Sequence, residues 1–194
     1  MSGRAASLIQ LARRVARAME EEVAQLRPFH HALDVASRAI PPRVGNGLRA
    51  AALRARGIDV GEGTAVYGAP EFSGGESGFF AKMTIGQDSV IGIRCSFELG
   101  ETIAIGNRVT LGHNVMILTT THELGPREHR AGAIVRNPVR LDDGAWIGAR
   151  AIILPGVTVG AGAVVEPGSV VNKNVAANTR VRGTPARPVE DPKP

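Results

Sequence analysis

The 194-residue chain has one cysteine, Cys95, so no disulfide can form within it and a reducing compartment is its natural setting. Aromatic residues make up only 4% of it, which argues against a sandwich or doubly wound sheet whose interior is filled by rings. No apolar run is long enough to span a bilayer. Arg13, Arg14 and Arg17 interrupt the apolar residues near the N-terminus too closely for a signal peptide, and a cytoplasmic protein is the expectation. What is left to build a core is Val, Ile, Leu and Ala, accompanied by 24 glycines. That mixture suits a narrow interior filled by repeated, small branched side chains.

The net charge of +5 is unevenly placed, because residues 1–56 carry ten arginines against four acidic residues. A solvated helix face explains such a segment most simply, and peripheral contact with an anionic membrane surface is the alternative. No rings alternate with the arginines, so nucleic-acid binding has no support. Within this segment Leu8, Leu11, Val15, Met19, Val23 and Leu26 recur at helical steps, and Pro28 ends or bends that helix. Further apolar stretches run from Leu33 to Ile40, stopping at Pro41-Pro42, and from Leu48 to Leu53, ending near Gly57. Residues 1–57 therefore form a helical N-terminal segment whose expected role is to cap one end of the remaining chain.

Beyond it the period becomes six. Ile147, Ile153, Val159, Val165 and Val171 are evenly spaced, and the mostly small Ala151, Val157, Ala163, Ser169 and Val175 follow each by four. An earlier block repeats the theme in Ile85-Gly86, Ile91-Gly92, Ile105-Gly106 and Leu111-Gly112. A period of six fits neither a helix nor one long alternating strand. Short strands joined by tight corners do fit it, with a large and a small side chain turned inward on each face and glycine expected where a corner needs positive φ. Three faces close a coil, and five or six coils stacked at the strand spacing give a prism about 25–30 Å long. Two extra residues between Phe97 and Ile105 imply a bulged corner, and Leu141 lies four periods after Ile117, so the intervening segment leaves the coil and returns in register. The fold class is mainly β, a parallel β-helix over 58–178 with an excursion loop at about 121–138, then a tail over 179–194.

The repeats resemble the left-handed β-helix of hexapeptide-repeat acyltransferases. The resemblance is carried by IGNRVTLGHNVMILTTTHELG (105–125) and LDDGAWIGARAIILPGVTVGAGAVVEPGSVVNKNVAANTRVRGTPARPV (141–189), which look like maltose, galactoside and polysaccharide O-acetyltransferases. The segment LRAAALRARGIDVGEGTAVYG (48–68) is similar to the lead-in of polysaccharide acetyltransferases. The handedness comes from this likeness, not from the period. It implies transfer of an acetyl or short acyl group from acetyl-CoA, or another acyl-CoA, to a hydroxyl of a sugar or glycan-like acceptor. It also implies a homotrimer with sites between adjacent prisms, and no metal.

In that family the histidine after a Thr-rich strand is the general base, a position held here by His122 after Thr119-Thr120-Thr121. A neutral imidazole can take the proton of a hydroxyl that is itself a poor nucleophile. Trp146 matches a tryptophan near the family's catalytic centre. Ala149, Pro167, Asn172 and Lys173 match positions that touch acetyl-CoA, and Arg187 matches a basic residue near its phosphates. Ala149 and Asn172 depart from the family's small polar residue and threonine. For the acceptor, the family's asparagine is missing. The stretch that replaces it runs Arg94 to Glu98, which makes Ser96 and Glu98 candidate contacts, unless Glu98 merely lies on an exposed face. His30 and His31 read as surface or packing residues, His113 as a structural corner residue, and His129 as a surface residue of the excursion.

Three other readings compete. A zinc lyase of the γ-carbonic anhydrase kind would need His113, His122 and His129 to converge, and their spacing does not resemble that site. An N-acyltransferase would take an amine in place of the hydroxyl. A non-catalytic scaffold is the third, and the retained His122 argues against it.

Overall fold

The computed structural model describes residues 28–42, 44–74 and 78–190 of a chain that divides into two units, 1–36 and 37–194. The helix expected over residues 8–26, with Arg13, Arg14 and Arg17, lies outside the described residues. Helix α1 (Pro28–Ala39) has Pro28 at its first position, where a missing N–H breaks no helical bond, so this proline opens a helix. Helix α2 spans Asn46–Ala55. Within the second unit Arg49 of α2, a buried side chain, donates to the carbonyl oxygens of Ser37 (3.3 Å), Val44 (2.7 Å), Pro41 (3.1 Å) and Ile40. Carbonyls left over at a helix C-terminus suit a cation, which explains how this one is buried without a carboxylate. At its own end α2 stops on Gly57, whose φ of 97° allows Gly57 N–H to reach Arg54 O (2.9 Å) and Ile58 N–H to reach Leu53 O (3.2 Å). That cap turns the chain into the first strand, and α2 lies against the first two.

The strands fall into coils of three. The first coil is β1 (Asp59–Val60), β2 (Ala65–Val66) and β3 (Glu71–Ser73), and the second is β4 (Met83–Ile85), β5 (Val90–Ile91) and β6 (Ser96–Glu98). The third is β7 (Ile103–Ile105), β8 (Thr110–Leu111) and β9 (Met116–Ile117). A hairpin of β10 (Thr120–Leu124) and β11 (Ala131–Arg136) interrupts before β12 (Val139–Leu141), β13 (Trp146–Ile147) and β14 (Ile152–Ile153). The fifth coil is β15 (Thr158–Val159), β16 (Val164–Val165) and β17 (Val170–Val171), and β18 (Arg180–Gly183) with β19 (Ala186–Val189) closes the stack. Successive coils pair in parallel to make three sheets: A (β1-β4-β7-β12-β15), B (β2-β5-β8-β13-β16-β18-β19) and C (β3-β6-β9-β14-β17).

The register puts like on like. Sheet A aligns Val60, Ile85, Ile105, Leu141 and Val159, and sheet B aligns Val66, Ile91, Leu111, Ile147, Val165 and Val181. Sheet C aligns Phe72, Phe97, Ile117, Ile153 and Val171. Nearly all of these are buried, as are the small residues two places before them, among them Ala145, Ala151 and Ala163. The period of six is thus a core of three stacked columns.

The glycine after each lead residue has a different function from the one expected. Gly86, Gly106 and Gly148 are not in the positive-φ region; a Cβ on Gly148 would lie 2.4 Å from Pro167 N, and one on Gly86 2.5 Å from the Gly106 carbonyl carbon. These glycines let one coil approach the next. Positive φ comes two residues later, at Asp88, Arg94, Arg108, Asn114, Arg150 and Asn178 as well as at Gly144 and Gly168. All extra residues between coils sit at one corner, from sheet C to sheet A: the turn carrying Phe79–Lys82, the bulge at 99–102, and the hairpin.

This packing leads to two expected outcomes. Gly148→Ala is expected to cost about 1–3 kcal/mol by overpacking, whereas Gly168→Asn, with open space around it and φ +71°, stays within about 0.5 kcal/mol; urea titration of both variants checks the contrast. Burial pushes the Cys95 thiol from its ordinary 9.0 up to about 11. The unfolded chain therefore ionises first, so this group's contribution to stability is whole below pH 9 and is lost as the pH rises toward 11. The native thiol is expected to be silent to a thiol reagent at pH 8 and to react fully in urea.

Candidate active site

The hairpin begins where the coil ladder stops. Leu118 N–H still reaches Ile153 O in the next coil (3.0 Å), but the amides of Thr119 and Thr120 do not continue that pattern. They donate instead to Glu98 Oε2 at 3.1 and 2.9 Å, and Thr120 Oγ1 donates to Glu98 Oε1 at 2.5 Å. Thr119 is buried; its hydroxyl donates to Glu98 O (2.6 Å) and accepts from Glu101 N–H (3.0 Å). Gly100 makes room for this seat, since a Cβ there would come 2.2 Å from Thr120 Cγ2. At the other leg of the hairpin Asn137 N–H donates to Thr119 O (2.9 Å).

His122 stands on β10 opposite Ile134, with a bulge between it and Leu124. Its Nδ1 lies 2.8 Å from Gly132 O. A ring nitrogen facing a carbonyl oxygen must carry the hydrogen, so the neutral imidazole keeps its lone pair on Nε2. The ring is exposed, as are Leu124 (82%) and Ile134 (53%) beside it on the hairpin. At the 99–102 bulge under the hairpin root, the Glu101 carboxyl is held below the usual range by the N–H and hydroxyl of Thr102.

The remaining expected residues do not gather around His122 within one chain. The hairpin leaves at the corner between sheets C and A, where Asn172 and Lys173 also lie, two coils further on and exposed. Ala149 and Pro167 stack on consecutive coils at the corner between sheets B and C. Trp146 is on sheet B with 52% of its surface exposed, and Arg187 is on β19 at the end of that sheet, opposite Arg182. Ser96 lies on the outer side of sheet C, in register with Glu71 and Met116. Glu98 is half-buried with its carboxylate turned to the hairpin root.

Several residues here have no signature in sequence. Gly132 acts through its carbonyl and Gly100 through a missing side chain. Glu166 pairs with Arg180, and more loosely with Arg182 (3.7 Å), forming with Arg187 a basic edge on sheet B. His113 Nδ1 accepts from Ile93 N–H (2.9 Å), a bond between coils that makes it a structural corner residue. Among the described residues there is no group of three metal-binding side chains, and no helix long and apolar enough to cross a membrane.

Comparison with known proteins bears on this arrangement. Residues 131–173 match the bacterial transferase hexapeptide family (six repeats), and residues 82–119 match the hexapeptide repeat of succinyl-transferase. Nodulation protein L of Rhizobium meliloti is 41% identical over 105 residues, which are 54% of this chain and 57% of that protein. Galactoside O-acetyltransferase of Lactococcus lactis is 38% identical over 98 residues, 48% of this chain and 47% of that one. The chain thus spans about half the length of these relatives. A hexapeptide-repeat acetyltransferase of Vibrio cholerae, solved with acetyl coenzyme A, superposes with a TM-score of 0.72 at 28% identity, covering 89% of this chain and 90% of that one. The fold is the left-handed parallel β-helix, as the repeats and the resemblance lead one to expect.

Trp146 is the chain's only tryptophan, so its fluorescence reads one position. Titration with coenzyme A is expected to change that emission saturably; emission that stays constant while coenzyme A binds would remove Trp146 from the site.

Proposed function

We propose that this hexapeptide-repeat protein, a left-handed β-helix with a hairpin inserted between its third and fourth coils, transfers an acetyl or short acyl group from a coenzyme A thioester to a hydroxyl of a sugar or glycan-like acceptor. The observation that carries the reading is the bond from His122 Nδ1 to Gly132 O, which leaves Nε2 as a base on an exposed hairpin. Nε2 takes the hydroxyl proton as the acceptor oxygen attacks the thioester carbonyl carbon. The resulting oxyanion collapses, the C–S bond breaks, and the imidazolium returns its proton to the departing sulfur. Neither a metal nor a covalent enzyme intermediate is required. The galactoside O-acetyltransferase relative supports a sugar hydroxyl as acceptor, and the neighbour solved with acetyl coenzyme A supports the donor.

The working form in this proposal is a homotrimer. His122 leaves at one corner of the prism, while Ala149, Pro167 and Trp146 occupy another corner and the face beyond it. A second copy that brings its B–C corner to the hairpin would complete the set. The outer row of sheet C, with Met116, Ile152 and Val170, offers apolar surface for such packing. A donor of this kind and a lone, reduced cysteine go with a cytoplasmic location.

Acetyl-CoA turnover, followed by thiol release over a panel of sugar acceptors, tests the proposal. Release is expected to require an acceptor, and His122→Ala to lower it at least about a hundredfold. A fully active His122→Ala protein would remove the base from the mechanism, and acceptor-independent release would remove the transferase.

A further inference from the structure

Glu98 has a role that substrate contact does not explain. In a β-helix each coil's amides are satisfied by the carbonyls of the coil beside it, and this holds through Leu118. When the chain turns away to form the hairpin, the next two amides lose those partners. A buried or half-buried N–H without an acceptor costs about 1–3 kcal/mol. One acceptor must therefore reach across from the neighbouring coil, and the Glu98 carboxylate does so, with both amides on Oε2 and the Thr120 hydroxyl on Oε1. Thr120 and His122 alternate onto the same side of β10, two residues apart. Holding the Thr120 hydroxyl thus selects the side of the hairpin on which the imidazole stands.

We propose that Glu98 is the positioning residue of the site: it replaces the missing ladder partners at the exit from the third coil and thereby sets where His122 stands. This rests on the reading of His122 as the base. Glu98 works by reach, because its carboxylate has to span from one coil to the root of the hairpin. Its charge is secondary to that reach, since an amide oxygen can accept the same two N–H bonds. Gly100 takes part passively by leaving room for the Thr120 methyl group.

The test is a series of Glu98→Gln, Glu98→Asp and Glu98→Ala, with Thr120→Val as a second way to remove the Oε1 contact. It reads acetyl-CoA turnover and, separately, hydrogen exchange of the Thr119 and Thr120 amides. Glu98→Gln keeps the reach and is expected to lose less than about fivefold in kcat, while Asp and Ala fall about 10- to 100-fold, the scale of a base displaced by an ångström or so. KM for acetyl-CoA is expected to stay constant, and the two amides to exchange slowly in wild type and Gln but rapidly in Asp and Ala. Thr120→Val is expected to reproduce part of the loss in kcat. An order that follows charge, with Asp active and Gln inactive, would overturn the proposal, as would a rise in acceptor KM alone. Should the wild type turn over no acceptor, the acyl-transfer reading fails by itself. The exchange data still decide the pin: rapid exchange in Ala supports it and slow exchange overturns it.

Discussion

Everything in this protein hangs on the hydrogen-bonded approach of one coil to the next. Strands of two or three residues are far too short to be stable alone, so each coil takes its stability from the backbone ladder and the side-chain columns it shares with its neighbours. The columns work because the register never slips: Ile147 lies between Leu111 and Val165, and Ile153 between Ile117 and Val171. The ladder works because glycines such as Gly86 and Gly148 let backbones meet where any side chain would hold them apart. Left-handed corner residues then turn the chain from one face onto the next, and this conformation is held by Asp, Asn and Arg in addition to Gly.

Such a regular stack has little chemistry of its own, because its backbone groups are taken up in the ladder between coils and most inward side chains are aliphatic. The histidine proposed as the base enters where the regularity is interrupted, and the interruptions share one corner. The turn at Phe79–Lys82, the bulge at 99–102 and the hairpin rise in succession, linked by Lys82 Nζ to Gly100 O (3.0 Å) and by Glu101 N–H to Thr119 Oγ1. The hairpin is therefore seated on two smaller departures, and the histidine it carries is referenced to a rigid stack through a few short bonds.

The other candidate residues belong to the stack itself. Ala149 and Pro167 are corner residues of successive coils, and Trp146 projects from a face. Their separation from His122 in one chain follows from the three-sided cross-section, which puts a whole face between two corners. It makes the contact between prisms a part of the chemistry in the proposed trimer. The basic edge of Arg180, Arg182 and Arg187 is tempered by Glu166, which pairs with the first two, while Arg187 Nη1 donates to the carbonyl oxygen of Ala186 at 2.8 Å.

Much of this was readable from residue types and spacing. The period of six, the large-and-small alternation and the return to register at Leu141 are consequences of burial repeated in every coil, so they are written locally and often. The match of TTTHELG to the family marked His122 for the same reason, since a motif is contiguous. Other features were not readable. The glycines after the lead residues look like corner residues, and only the distance between coils shows that they serve close approach. Glu98 and Thr120 are separated by a full coil of chain, and nothing in either segment announces a partner in the other. The sequence by itself determined the repeat, the core and the position of the histidine proposed as the base. Only the tertiary structure decided which carbonyl selects the histidine's tautomer, which carboxylate seats its hairpin and which corners stand apart, because these depend on residues distant in sequence: Gly132 O meets His122 across the hairpin, Glu98 reaches Thr120 from the neighbouring coil, and the three-sided stack sets the corners.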